Sequence, residues 1–471
     1  MYSTSRSVDI AIIGAGTAGM YALREARKAH CSALLIDHGP LGTTCARVGC
    51  MPSKAALHVA HLWEAAQKAA QVGYPAAAGT IDRCTAWHEV RRQRDFFAGR
   101  TAERTRQFAG DSLLMGSASF IAPDAVRVMD ESGEGVIVQA KSFVLAVGSR
   151  PFLPSALHNL PAERLLTSDT LFDCDEPPAR IGVVGLGAIG LEMGLALSRL
   201  GVSVVGVEMS PMIAGISDPE VNAAALTRFA RHFPIYSNTS ATFTPAAEGI
   251  VIELPDGSRH TVDALLVATG RRSNLDRMGL EAAGVTLDGR GFPTQFDPLT
   301  LQIANTPIFL AGDAHGRMPL MHEAAADGVA AGTNAAHLVK GEPLTPRPAL
   351  TPLAIVFSDP DVVRVGKRFA ELDREQIVIG TGKGSENGRS RILGETETLL
   401  RLYAEKPSGR LLGAEMVVAH GEHLGHFLAQ AIARGETVET LLALPYYHPS
   451  VEELLQSALQ DAQAQLARAN G

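Results

Sequence analysis

A glycine-rich turn that occurs twice, at matched spacing, constrains this 471-residue chain more than any other feature. The first copy follows a short apolar run, Val8 to Ile13, and reads Gly14-Ala-Gly16-Thr-Ala-Gly19. A helical stretch through Lys28 comes next, then a second apolar run, Ala33 to Ile36, which ends at Asp37. The second copy starts at Arg180. Its strand is Ile181 to Val184, its turn Gly185-Leu-Gly187-Ala-Ile-Gly190, its helix Leu191 to Leu200, and its second strand Val202 to Val207, followed by Glu208. First glycine and acid are 23 residues apart in both copies, Gly14 to Asp37 and Gly185 to Glu208. Apolar runs of this length suit buried parallel strands. The first glycine allows a tight turn, the second lets backbone approach a pyrophosphate, and the third lets the helix pack on the strand. Free N–H groups at the helix start meet the phosphates, and the acid accepts from a ribose hydroxyl. One such turn is weak evidence. Two copies, each with its strands and its acid, predict an α/β chain with two dinucleotide sites.

The second acid also bears on cofactor choice. A carboxylate at Glu208 bonds a free 2′-hydroxyl and repels a 2′-phosphate. Met209 to Gly215 contains no Arg or Lys to hold that phosphate, so NAD(H) is favoured over NADP(H). Two further strands end alike: Ser142 to Pro151 carries Gly148, and Asp263 to Gly270 closes on a glycine. Ile308-Phe-Leu-Ala-Gly312-Asp313 ends in an acid, where ligands of α/β sheets bind. A helix N-cap is the other reading of Asp313.

Between the two turns lies Leu41-Gly-Thr-Thr44-Cys45-Ala-Arg47-Val-Gly-Cys50-Met-Pro-Ser-Lys54. On an ideal helix, Cα atoms five residues apart are roughly 8–9 Å from each other. A disulfide needs about 4.4–6.8 Å. Pairing would therefore require a distorted chain and a reducible bond; spacing alone does not separate this from two ordinary reduced cysteines. The cysteines, at 31, 45, 50, 84 and 174, are too few and scattered for a secreted scaffold. Length suits about three domains. With 42 Lys plus Arg against 50 Asp plus Glu, the net charge of −8 gives no support to nucleic-acid binding and little to an anionic membrane surface. Residues 10–23 imitate a signal-peptide core but carry regularly placed glycines and no clear cleavage site. No run approaches the ~18 apolar residues of a membrane span, and the expected location is cytoplasmic.

Residues 54–71 and 86–108 read as helices, and 112–140 as β-rich. Gly341 to Pro352 holds four prolines and reads as a linker. Beyond it the pattern is α+β, with strands at 353–357, 362–366, 376–381, 399–404 and 411–418. Leu444-Pro-Tyr446-Tyr447-His448-Pro-Ser450-Val-Glu-Glu453 precedes a last helical stretch, 451–468. A His before Pro at a helix start is by itself more often structural than catalytic.

With these parts in order, the chain resembles the flavoprotein disulfide reductases, and within them the dihydrolipoamide dehydrogenases. The resemblance covers nearly the full length. It implies two Rossmann-like dinucleotide-binding domains, for FAD and NAD, and a C-terminal α+β dimerisation domain. The implied boundaries are 1–152 and 274–345 for the two FAD-side parts, 153–273 for NAD, and 346–471 for the interface. Gly14, Gly16, Gly19 and Asp37 would hold FAD pyrophosphate and ribose, Asp313 the ribityl chain, with Thr44, Lys54 and Gly148 also on the cofactor. Gly185, Gly187, Gly190, Glu208 and Gly270 would hold NAD. Cys50 would face the flavin and Cys45 the substrate. Lys54 would pair with Glu192. His448, oriented by Glu453, would serve Cys45 as acid–base catalyst from the other subunit of a homodimer. No metal is implied, and the implied partner is a lipoylated carrier or free dihydrolipoamide.

Departures from the family pattern concern the surroundings of these groups. Ala46-Arg47 replaces Leu-Asn between the cysteines, Val147 replaces a Thr, and His448-Pro-Ser450 replaces His-Pro-Thr after the unusual Tyr446-Tyr447 pair. Rival readings within the architecture are a glutathione reductase, favoured only by Arg24, and mercuric or thioredoxin reductases. The latter carry C-terminal cysteines or Cys-Sec, and this chain has no cysteine after Cys174. Soluble transhydrogenases lack the full cysteine pair. A low-turnover flavoprotein bound to a lipoylated partner is the reading from another class.

Overall fold

The computed structural model describes residues 4–74 and 79–470. The chain divides into two compact units. The first comprises Met1–Pro52, Arg91–Phe152 and Arg271–Ala349. Its seven-stranded sheet runs Leu113–Met115, Ala33–Asp37, Thr4–Ile13, Gly135–Leu145, Ala125–Met129, Ser117–Ala122, with Ile308–Leu310 also on Gly135–Leu145. Thr4–Ile13 is parallel to both neighbours, with Ile10 opposite Ala33 and Ser142. Ile10, Ala11 and Ile12 are wholly buried, because helices and the outer strands cover both faces of this sheet.

Helix Thr17–Lys28 turns its small residues, Ala18, Ala22 and Ala26, inward. They meet helix Met321–Lys340, where a Cβ on Gly328 would stand 2.2 Å from the Ala18 carbonyl oxygen, and one on Gly332 2.7 Å from Ala22 Cα. The two backbones approach so closely because both surfaces are small at four-residue spacing.

The second unit comprises Ser53–Val90, Leu153–Gly270 and Leu350–Gly471. It repeats the parallel arrangement in the order Ile235–Tyr236, Ser203–Val207, Arg180–Val184, Ala264–Val267, Leu165–Leu166. A meander, Thr242–Ala246, Gly249–Glu253 and Arg259–Val262, adds a small antiparallel sheet. C-terminal to the proline-rich stretch, five antiparallel strands follow the order Leu353–Val356, Asp361–Gly366, Leu411–Val418, Leu399–Glu405, Ile377–Lys383. Helix Glu453–Asn470 lies on the last of these. Gly380 and Gly382 leave room for it: a Cβ there would meet the carbonyls of Ala458 and Leu454 at 2.0 and 2.2 Å.

Several element limits differ from the sequence reading. The strand expected over 142–151 is the end of Gly135–Leu145, then a break, then Ser149–Pro151 paired with Arg271–Ser273. Gly148, at φ +66°, turns the chain out of the sheet between them. The helix expected from 54 starts at Cys50, since Pro52 in a first turn forfeits no intrahelical bond. The last helix starts at Glu453, two residues later than expected.

Candidate active site

Both glycine turns have the same internal construction. The Ala15 N–H donates to Asp37 Oδ2 at 2.6 Å, and the Gly39 N–H to Asp37 Oδ1 at 2.6 Å. In the second copy the Leu186 N–H donates to Glu208 Oε2 at 2.7 Å, and the Ser210 N–H to Oε1 at 2.9 Å. Each acid thus bonds the residue after the first glycine and the residue two beyond itself.

The three glycines differ in what excludes a side chain. A Cβ on Gly14 would lie 2.2 Å from the Ala146 carbonyl oxygen, and on Gly185 2.7 Å from that of Ala268. On Gly19 and Gly190 it would meet the carbonyls of Gly14 and Gly185 at 1.8 and 1.9 Å. At Gly16 and Gly187 nothing of the protein lies within 4 Å. The protein itself demands the outer two glycines. The middle one faces open space at the start of a helix, where close approach benefits a bound pyrophosphate. Gly148 and Gly270, at φ +66° and +115°, face similar open space just beyond the matched strand ends. These cradles fit FAD and NAD(H).

Asp313 follows strand Ile308–Leu310 in a short 3₁₀ turn. Ser149 Oγ donates to its Oδ2 at 2.8 Å, and Arg271 donates to Ser149 Oγ and carbonyl oxygen at 2.8 and 2.7 Å. Ser149 and Arg271 were not singled out in the sequence; strand Ser149–Pro151 pairing with Arg271–Ser273 is what brings them together.

Cys45 is half-buried in the single turn Thr44–Arg47, whose N-cap Thr43 accepts from the Ala46 N–H. The exposed Cys50 opens the next helix, Cys50–Gln71. Val48 and Gly49 interrupt the helical path between them, with Val48 at φ −138°. A Cβ on Gly49 would be 3.3 Å from Cys45 Cα, and the two cysteines do not share one straight helix. The straight-helix separation therefore does not apply to this pair. Thr44 is exposed, and Arg47 donates to the Pro40 carbonyl at 3.2 Å. Arg24 is engaged by Glu25 at 2.8 Å and stands over the Tyr21 ring.

In the second unit, Lys54 Nζ donates to both oxygens of Glu192, each at 2.8 Å. Glu192 is 5% exposed on its side chain, on helix Ala188–Arg199, and Lys54 is 35% exposed. A carboxylate this buried is tolerable only with charge-assisted partners. The Phe357 N–H supplies another at 3.1 Å, and the Phe357 ring lies 4.8 Å from Lys54 Nζ. The strand edge that supplies Phe357 carried no sequence signal for this contact.

His448, 77% exposed, has Nδ1 at 2.9 Å from Glu453 Oε1. The Ser450 N–H donates to the other oxygen of Glu453 at 2.9 Å, and Asn387 Nδ2 donates to the Ser450 carbonyl. The Ser450 N–H, then His448, hold the Glu453 carboxyl below its usual range. With Nδ1 facing a carboxylate, Nδ1 carries the proton and Nε2 is left to accept one. Beside it, Tyr446 is anchored by its hydroxyl on the Leu441 carbonyl, and burial pushes its phenol up to about 12. Tyr447 is 85% exposed. Cys45 and Cys50 belong to the first compact unit, Lys54–Glu192 and His448–Glu453 to the second.

Comparison with known proteins speaks to the family. The dihydrolipoyl dehydrogenase of Bacillus subtilis is 29% identical over 469 residues, covering 96% of each chain. That of Synechocystis is 30% identical over 475 residues, covering 96% of this chain and 98% of its own. Among solved structures, the HOCl-induced flavoprotein disulfide reductase RclA of Escherichia coli, as its Cu(II) complex, superposes with a TM-score of 0.81 at 20% identity over 97% of this chain and 99% of its own. LpdA of Mycobacterium tuberculosis gives 0.80 at 23% identity, again over 97% and 99%. The pattern of the pyridine nucleotide-disulphide oxidoreductases matches residues 8–328, and that of their dimerisation domain residues 353–459. The chain belongs to the pyridine nucleotide-disulphide oxidoreductase family, whose members use FAD and NAD(H).

Proposed function

We propose that this protein is an NAD-linked dihydrolipoyl dehydrogenase that works as a homodimer, with residues 1–152 and 274–345 serving FAD, 153–273 NAD and 346–471 the interface. The observation that carries the reading is His448: an accessible imidazole with Nδ1 committed to a Glu453 that is itself capped by the Ser450 N–H. That is a base oriented for a proton from a thiol, in a chain with a close cysteine pair. Its Nε2 takes the proton of an incoming dihydrolipoyl thiol. The resulting thiolate attacks Cys45 Sγ of a Cys45–Cys50 disulfide, and Cys50 leaves as thiolate. The imidazolium gives its proton to solvent, Nε2 takes the proton of the second substrate thiol, and that thiolate displaces Cys45 as thiolate beside the imidazolium, so the lipoyl group departs oxidised and two electrons remain on the cysteine pair. FAD held in the first cradle by Gly14, Gly16, Gly19 and Asp37 would supply the redox chemistry that links the cysteine pair to NAD⁺. Gly16 and Gly187 would admit the two pyrophosphates, Asp37 and Glu208 would accept from ribose hydroxyls, and Lys54–Glu192 would supply a fixed charge pair toward the flavin.

Relatives named dihydrolipoyl dehydrogenase at 29–30% identity over 96% of the chain support the substrate assignment. Arg47, where those enzymes commonly have Asn, favours a second reading, another disulfide substrate or an acidic carrier. Cys50→Ser should stay yellow and lose dihydrolipoamide-dependent NAD⁺ reduction; retained activity would sink the dithiol mechanism. Anaerobic mixing with dihydrolipoamide or glutathione separates the substrates, since only the true dithiol donor should reduce the flavin rapidly.

A further inference from the structure

Glu192 and Arg199 sit on one helix, Ala188–Arg199, seven residues and about two turns apart. Both bind the same short segment that leaves strand Leu353–Val356. Glu192 Oε1 accepts from the Phe357 N–H at 3.1 Å. The Arg199 guanidinium, 2% exposed, donates to the Ser358 and Asp359 carbonyls at 3.0 and 2.7 Å. Ser358 stiffens the segment from within: its N–H donates to Val356 and its hydroxyl to the Pro360 carbonyl at 2.7 Å. Helix Cys50–Gln71 is held by the same device. Lys54 is bonded to Glu192, its Glu64 faces Arg199 at 3.0 Å, and its His61 meets the Asp359 carboxylate at 3.0 Å.

One residue touches both members of the Lys54–Glu192 pair. The Phe357 backbone holds the acid, while its ring, 4.8 Å from Lys54 Nζ, limits where the ammonium can go. A lysine that is 35% exposed has solvated rotamers available, and a ring face beside the ammonium opposes them. We propose that Phe357, in a segment that Arg199 anchors at the next two carbonyls, is a positioning residue that fixes the Lys54 ammonium on Glu192 and thereby sets the charge presented to the flavin. The last clause rests on the reading of Lys54 given under Proposed function; the positional clause does not.

The test uses the holoenzyme and two readouts. Site-resolved acylation of lysines, read by peptide mass spectrometry, reports the freedom and charge of Lys54 independently of turnover. Phe357→Leu keeps the backbone N–H and removes the ring, which opens the solvated rotamers away from Glu192, so Lys54 should acylate roughly threefold to tenfold faster relative to the other lysines. Phe357→Tyr should restore the slow rate. An unchanged Lys54 rate in Phe357→Leu, with melting temperature and flavin content retained, overturns the proposal. The second readout is flavin reduction by NADH in a stopped-flow experiment. A slower rate in Phe357→Leu, restored in Phe357→Tyr, supports the link to the flavin. If Lys54→Met leaves that rate unchanged, the placement of Lys54 beside the flavin is wrong. If Lys54→Met slows it and Phe357→Leu does not, that placement stands and the role of Phe357 fails.

Discussion

The two glycine cradles share their chemistry and differ in what stands behind them. In both, an acid 23 residues downstream bonds the N–H after the first glycine, and the third glycine touches the first. Behind the first, helix Thr17–Lys28 presents small residues to another helix almost at backbone contact, with Gly328 and Gly332 as the matching surface. Behind the second, helix Ala188–Arg199 is Leu-rich and carries two buried charges, Glu192 and Arg199. A Cβ on its Gly194 would stand 2.8 Å from the Phe233 ring, so the close neighbour of this helix is an aromatic side chain. Ligand geometry therefore fixes only the turn and its acid, while the supporting layer is free to be small and tight or large and charged. The second solution couples the cradle to the Lys54 network; the first provides only rigidity.

The largest test of this equivalence concerns the third glycines. Gly19→Ala and Gly190→Ala would each drive a methyl into a carbonyl, at 1.8 and 1.9 Å, and should cost about 3 kcal/mol in thermal or denaturant unfolding. Markedly unequal costs would show that the supporting layers, rather than the turns, set the tolerance. The middle glycines should behave oppositely. Gly16→Val should abolish FAD retention and Gly187→Val should raise the KM for NADH by about tenfold or more, each with little loss of fold stability. A yellow Gly187→Val protein with unaltered NADH kinetics would break the assignment of the second cradle. Next in size, Glu208→Ala should reduce the preference for NADH over NADPH about tenfold in steady-state ratios of kcat/KM, the scale of one charged hydrogen bond.

The smallest effect is expected outside both cradles and gives the baseline for stability changes unrelated to them. Asp361 is buried beside Glu422, and burial, then that neighbour, push its carboxyl up to about 9. Folding therefore retains a proton that the unfolded chain releases near the ordinary 3.8. The associated stability is complete below about pH 4 and is lost as pH rises toward about 9. Asp361→Asn should flatten this fall, leaving the melting temperature at pH 9 roughly 2–4 °C higher relative to pH 6 than in the parent. FAD and NADH binding should be unmoved.

Much of the site was legible because its elements are local. A glycine turn, two strands and an acid form one contiguous unit, and its repetition exposed the architecture. Lys54 with Glu192 and His448 with Glu453 were readable only through family resemblance: no spacing rule joins the first pair, 138 positions apart, and a His before Pro at a helix start is by itself more often structural. Ser149, Arg271 and Phe357 escaped notice because strand pairing and the segment after strand Leu353–Val356 bring them to their partners, Ser149 and Arg271 from positions 122 residues apart and Phe357 to a Glu192 165 residues away. Gly148 was legible as the close of the strand from Ser142, while the earlier end at Leu145 lay hidden in an unbroken apolar run.

The contact of Ala18 and Ala22 with Gly328 and Gly332 has a consequence for synthesis. Helix Thr17–Lys28 leaves the ribosome early, but the surface it needs is about 300 residues behind it. The second cradle has its strands and acid within Arg180–Val267 and depends on far shorter closures. Nascent chains stalled near residue 280 should therefore protect the second cradle from protease while the first remains cleavable, so the part translated first is finished last. Equal protection of both at that length would show that Thr17–Lys28 can dock without its distant partner.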